Sequence, residues 1–133
     1  MSQTAPRLLL PFQPSTAHEA RLDLANFLAQ RDIPQVAIDD ALVVISELIS
    51  NAIRHGKPDP NGKLCIGWCI DDDELEVCVC DFGEHSMRGS MLPRPMSETA
   101  TDGRGLAIVD ALAERWWIDD APGTTIHARI ALV

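Results

Sequence analysis

Val44-Ile45-Ser46-Glu47-Leu48-Ile49-Ser50-Asn51-Ala52-Ile53-Arg54-His55-Gly56 is the stretch on which the fold turns. Glu47, Asn51 and His55 recur every four residues. On a helix that spacing stacks a carboxylate, a carboxamide and an imidazole into one polar stripe. Leu42, Ile45, Leu48, Ile49, Ala52 and Ile53 then line the buried side. A solvated face is the ordinary reason for such a stripe, so the elements C-terminal to it have to decide whether it is a site. Asp81-Phe82-Gly83 ends an apolar strand, Gly103-Arg104-Gly105-Leu106 opens a second amphipathic helix, and Gly123-Thr124-Thr125 opens a last strand.

The order of these elements resembles the nucleotide site of the GHKL ATPase superfamily, to which gyrase, the heat-shock chaperone and histidine-kinase catalytic domains belong. The resemblance runs from about Thr16 to Val133. Within the superfamily, the Ser46-to-Gly56 wording and the Gly103-to-Asp110 helix are similar to the anti-sigma-factor serine kinases, in particular the single-domain actinobacterial type. The fold implied is α+β: a two-layer α/β sandwich of the Bergerat type. Its sheet would be mixed and mostly antiparallel, with about three helices on one face.

Composition agrees with one globular domain spanning 1–133. Of the 133 residues, 46% are apolar and 23% charged, which is ordinary for a folded chain. Charges or glycines interrupt the apolar runs before they reach membrane-spanning length. Met1 to Gln13 has no basic region ahead of an apolar stretch, so it reads as a strand instead of a secretion signal, and a cytoplasmic protein is expected. A formal charge of -9 with eleven scattered Lys and Arg argues against direct nucleic-acid binding. It suits encounter with a basic protein partner.

The coarse order is strand, two helices, hairpin, loop, helix, two strands. Arg7 to Phe12 reads as the first strand, and Thr16 to Gln30 as a helix capped by Ser15 or Thr16, with Ala20, Leu24, Phe27 and Leu28 on one face. Pro34 stands at the start of the motif helix, where its missing N–H costs nothing. Gly56 closes that helix, and Pro58 and Pro60 prevent its continuation. Lys63 to Ile70 and Leu75 to Asp81 alternate around Asp71-Asp72-Asp73-Glu74 as hairpin strands do.

The resemblance also assigns roles. Mg²⁺ takes oxygen ligands in near-octahedral geometry and retains waters, so the carboxamide of Asn51 together with phosphates makes a sensible shell. Glu47, one turn earlier, fits the general base that takes a proton from an attacking hydroxyl. A salt bridge to Arg54 or Arg115 is the other role open to it. Asp81 matches the family's reader of the adenine amino group, with Gly83 letting the base approach the backbone and Thr124 as a water-linked helper. An ordinary turn aspartate would look the same. Gly103, Arg104, Gly105 and Leu106 would offer a helix N-terminus to phosphate, and His55 completes the ATP-binding set. The Gly-x-Gly is otherwise a flexible turn and Arg104 a solvent-facing cation. Asp81-Phe82-Gly83 is not the protein-kinase triplet, because the accompanying kinase signatures are missing.

Glu84 to Asp102, with Gly89, Pro93, Pro95 and three methionines, has no sustained period and matches the family's ATP lid. A plain surface loop is the alternative. One departure stands out: the family's aspartate motif carries a second glycine where this chain has His85. Cys65, Cys69, Cys78 and Cys80 fall on one sheet face if Ile70 pairs with Leu75, away from the Asp81 side. Free buried thiols, a metal or redox site and a homodimer interface are all open to them.

The implied function is a serine/threonine kinase that uses Mg-ATP to phosphorylate an anti-anti-sigma (STAS-type) protein and sequesters a sigma factor. The alternative is a binding module of the same fold that does not turn over ATP. A histidine kinase built on His18-Glu19 lacks the preceding pair of long helices.

Overall fold

Pro34 fixes where the central helix starts. With φ -57° and ψ 140° it stands just outside the helix, and its carbonyl accepts from the amides of Ala37 and Ile38 at 3.0 and 3.2 Å. From there α2 runs Gln35–His55, and Ala37, Ile38, Ala41, Val44, Ile45, Leu48, Ile49 and Ala52 form its buried stripe. The computed structural model describes residues 3–4, 7–82, 104–119 and 123–132. The elements are β1 (Gln3–Thr4), β2 (Leu8–Pro11), α1 (Thr16–Ala29), α2, β3 (Lys63–Asp71), β4 (Glu74–Asp81), α3 (Arg104–Leu112), β5 (Arg115–Asp119) and β6 (Thr124–Ala131).

The sheet order is β1-β3-β4-β6-β5, with β2 also paired to β3, and every described pairing is antiparallel. The first strand expected over Arg7 to Phe12 is thus shorter, Leu8–Pro11, and is joined on the same edge of β3 by the two-residue β1. Helix α2 packs on β4 and β6 and against both α1 and α3. One hydrophobic core fills the space between helices and sheet, with Leu24, Leu28, Ile45, Leu48, Ile49, Leu64, Ile66 and Leu75 among its fully buried side chains. Each such side chain is worth about 1.5 to 3 kcal/mol when removed from water. This is the α+β sandwich expected from the sequence.

The β3–β4 hairpin follows the expected register: Ile70 pairs with Leu75 and Asp71 with Glu74. Its two turn residues, Asp72 and Asp73, have φ 52° and 60°. That is the left-handed turn that matches strand twist, and aspartate is among the few side chains that tolerate it. Because the two-residue turn fixes the register, the face of every β3 and β4 residue is set.

The capping of α1 differs from expectation. Ser15 has helical dihedrals and makes no side-chain cap, and its Oγ accepts from Gln13 Nε2 at 2.9 Å. Thr16 is fully buried and its hydroxyl donates to the Pro11 carbonyl. The threonine ties strand β2 to the helix instead of capping it.

The outer face of the sheet is polar. His127 on β6 lies between Glu76 (Nδ1 to Oε2, 3.3 Å) and Asp119 (Nε2 to Oδ2, 2.9 Å), and stacks on Trp117 at 4.9 Å with the rings 5° from parallel. Arg129 donates to Glu74 at 2.8 Å, to Glu76 at 3.3 Å and to the Asp71 carbonyl at 3.2 Å. Desolvation works against the Arg129 charge, and the carboxylates around it outweigh that and raise its pKa.

Candidate functional site

Asn51 is the one polar side chain among the buried residues of α2. It stands in the position the apolar stripe would fill next and is only 4% exposed. Its Nδ2 is buried and has no hydrogen-bond partner among the described residues. A buried amide group left so costs about 1 to 3 kcal/mol. The stripe read from the sequence therefore splits: Asn51 turns inward, while Glu47 and His55, one turn to either side, are half-buried.

Asp81 ends β4 and pairs with Thr124 at the start of β6; the two are 1% and 0% exposed. A buried carboxylate needs fixed donors. The Lys57 amide points at Asp81 Oδ1 from 3.4 Å, and the Phe82 amide donates back to the Lys57 carbonyl at 2.9 Å. These contacts clamp the strand end to the segment leaving α2.

Two glycines make the clamp possible. A side chain on Gly56 would run into the Asp81 carboxylate, with all three of its terminal atoms closer than 3.0 Å, a separation real side chains do not show. Gly56 closes the helix as expected, but not in the left-handed conformation for which a helix end often needs glycine: its φ of -100° and ψ of -166° are extended. Gly56 is glycine because the carboxylate sits on it. Gly123 does adopt φ 69°, and a side chain there would strike the Asp81 main-chain carbonyl. Asp81 is thus held from below and behind by residues far from it in the chain.

Helix α3 begins at Arg104, so Arg104, Gly105 and Leu106 form its first turn, and Leu106 is buried in the core. Gly83, His85, Gly103 and the expected lid at 84–102 lie outside the described residues. The structure thus brings Asp81, Thr124, Gly56 and Lys57 together directly, and puts Glu47, Asn51 and His55 on the last turns of the helix that leads into Gly56. Sequence reasoning missed the roles of Gly56 and of the Lys57 amide; the only signal was a glycine at the end of a motif helix. A cavity of about 230 Å³ opens where Pro14 meets Ser50, Ile53 and Arg54, beginning three residues beyond Glu47.

The residues present fit a purine nucleotide with its metal. The buried Asp81 carboxylate suits an exocyclic amine, and the buried Asn51 carboxamide suits a cation or phosphate-linked water.

Residues 10–130 match the histidine kinase-like ATPase domain family. The chain belongs to that family. Membership of an ATPase domain family implies ATP as its nucleotide. Among similar proteins are the serine-protein kinase RsbW of Oceanobacillus iheyensis, 29% identical over an alignment that covers 88% of this chain and 80% of that protein, and the anti-sigma F factor of Shouchella clausii, 28% identical over 83% of this chain and 80% of that protein. The RsbW of Bacillus subtilis is 27% identical over 88% and 79% of the two chains. A crystal structure of the RsbU and RsbW domains of a Mycobacterium tuberculosis protein shares the fold, with a TM-score of 0.70 and 24% identity. It covers 96% of this chain, which spans 33% of that longer one. The resemblance read from the motifs to anti-sigma kinases is borne out by these names. Among the described residues, no helix is long and apolar enough to cross a membrane.

Proposed function

We propose that the protein, folded as a single domain over 1–133, is an ATP-dependent serine/threonine kinase of the anti-sigma type. It phosphorylates a hydroxyl of a small anti-anti-sigma (STAS-type) protein and sequesters a sigma factor, exchanging one partner for the other in the cytoplasm. The observation that carries this reading is the buried Asn51 carboxamide with its unpartnered Nδ2, one turn from Glu47, in a chain whose relatives are named serine-protein kinase and anti-sigma factor.

In this reading Asp81 accepts from the adenine amino group, with Thr124 beside it on the neighbouring strand. The first-turn amides of α3, from Arg104 to Leu106, hold the phosphates together with Gly103, the Arg104 side chain and His55, and Gly83 gives the base room. Asn51 would hold Mg²⁺ through its oxygen, and the bound ion would neutralise phosphate charge as it builds. Glu47 accepts the proton of the partner's hydroxyl, a role that needs a half-buried carboxylate open to a second protein. Residues 84–102 act as the lid that excludes water. The charge of -9 favours a partner with basic surface.

Titration with Mg-ATP, Mg-GTP and ATP in chelator tests the site directly. ATP should bind, GTP should bind much more weakly because its exocyclic groups do not offer Asp81 an amine at the adenine position, and chelation should weaken ATP. Equal affinity for ATP and GTP would rule out Asp81 as the base reader. His85, in place of the family's second glycine, favours the second reading, a module that holds partners and nucleotide without turnover. Transfer of labelled phosphate to an anti-anti-sigma protein separates the two.

A further inference from the structure

The outer sheet face carries four free cysteines, and the hairpin register sorts them. Cys65 on β3 stands directly opposite Cys80 on β4, whereas Cys78 faces Gly67 and Cys69 faces Glu76. Directly opposed residues of an antiparallel pair have Cα atoms about 4.5 to 5.5 Å apart, inside the window of about 4.4 to 6.8 Å that a disulfide spans. Diagonal neighbours such as Cys65 and Cys78 are about 7 to 8 Å apart, beyond it. Only one pair among the four is placed to bond.

Arg7 lies beside Cys65. Its Nη1 donates to Cys65 Sγ at 3.8 Å, and its side chain crosses Gly67, where a Cβ would come within 3.3 Å of both Arg7 Cγ and Cys78 Sγ. The absence of a side chain at Gly67 thus makes the bed on which the guanidinium rests. Thiol–disulfide exchange builds negative charge on sulfur, and Arg7 is the cation beside it. Burial pushes the Cys78 thiol up to about 11 and also raises that of Cys69. Cys80 has a second contact, its thiol donating to the main-chain carbonyl of Asp81 at 3.8 Å. That is the same carbonyl against which Gly123 packs.

We propose that Cys65 and Cys80 are a redox modification site, closing a cross-strand disulfide by exchange with a small oxidised thiol, and that closure alters the nucleotide corner through Asp81. Cys65 gives up its proton to solvent and attacks one sulfur of the small disulfide, releasing one small thiol and leaving a mixed disulfide. Cys80, deprotonated in turn, attacks the Cys65 sulfur and expels the second small thiol. Two cysteine thiols are oxidised and one small disulfide is reduced to two thiols. The Cys80 S–H that donated to the Asp81 carbonyl is lost. The coupling to nucleotide rests on Asp81 being the reader of the base; the bond itself does not.

The test is titration of the intact protein with oxidised glutathione, followed by alkylation and non-reducing peptide mapping. The expected product is a monomer that has lost two hydrogens and yields one peptide pair joined through Cys65 and Cys80. Cys65→Ser and Cys80→Ser should each stop at a glutathione adduct or free thiol, while the Cys69→Ser/Cys78→Ser double variant should still close the bond. Arg7→Gln should slow closure several-fold. Free alkylation of both Cys65 and Cys80 at high oxidant, or a bond to a different cysteine or a second chain, would overturn the site. ATP affinity of the oxidised form should differ at least threefold from the reduced form; equal affinities would overturn the coupling. If the reduced protein bound no ATP, the kinase reading and the coupling would both fall, and the mapped bond would stand.

Discussion

Introducing a single methyl group at Gly56 probes the Asp81 corner most sharply. Gly56 has extended dihedrals that any residue adopts, so Gly56→Ala costs nothing in backbone strain. Taken alone it should stabilise by about 0.4 to 1 kcal/mol through the unfolded chain. Against this stands the collision with the Asp81 carboxylate. Overpacking of that kind costs about 1 to 3 kcal/mol, and here the yielding group is a buried carboxylate drawn toward the Lys57 amide. Steric cost wins, and the variant should unfold earlier, by roughly 3 °C per kcal/mol in a chain of this length. The same displacement should weaken ATP binding about tenfold for each 1.4 kcal/mol lost. The decisive measurement is the double-mutant cycle with Asp81→Ala, read by urea unfolding. With the carboxylate gone, Gly56→Ala should become neutral or stabilising; the unfolded-chain gain is common to both backgrounds, so the coupling is the steric cost alone, about 1 to 3 kcal/mol. An equal cost of Gly56→Ala in both backgrounds would refute the argument that the carboxylate dictates this glycine.

Other substitutions have equally definite outcomes. Asn51→Leu should abolish Mg-dependent ATP binding yet leave the ligand-free protein as stable or more so, because the unpartnered buried Nδ2 is removed; calorimetry and urea unfolding read both, and a large loss of stability would count against the assignment. Glu47→Gln should keep ATP affinity and lose phosphotransfer, checked by binding and single-turnover transfer to the partner, with an unchanged rate ending the base assignment. Cys78 binds its proton up to about 11 when folded against an ordinary 9.0, so below pH 9 its contribution is fully present, and it is lost as pH rises toward 11. Unfolding free energy should therefore fall by on the order of 3 kcal/mol across that window, and Cys78→Ala should flatten the fall. Replacing His85 by Gly should change ATP affinity if that position governs lid closure; no change between pH 6 and 8 would dismiss it.

Local pattern made much of the fold legible. Alternation and a two-residue Asp72-Asp73 turn determine the β3–β4 register, and a 3.6-residue apolar period defines α2, so both could be read without a partner in view. The common face of the four cysteines followed from that register alone. What depended on distant partners was not legible. Gly56 looks like a helix stop, and its actual constraint is a carboxylate 25 residues later. Thr16 looks like a cap, and its hydroxyl instead reaches back to Pro11. The ion pairs of Glu74 and Glu76 with His127 and Arg129 join residues more than fifty positions apart. Alternating polar residues on β6 signalled only that one face was not core.

Asp81 wedged between Gly56 and Gly123 has a consequence for how the chain folds. Its three parts come from the end of α2, the end of β4 and the start of β6, so the corner exists only once the helix is seated on a sheet whose β4 and β6 are already paired. A partly assembled chain, even one with the complete β3–β4 hairpin, lacks the corner proposed to read the base. Nucleotide would then bind the native state and none of its precursors. Binding drawn from the finished fold alone adds its full weight to stability, about 2.7 kcal/mol at a hundredfold excess over Kd. In a cell well supplied with nucleotide, the population of unfolded chain would fall about a hundredfold, so the ligand would guard the protein's lifetime.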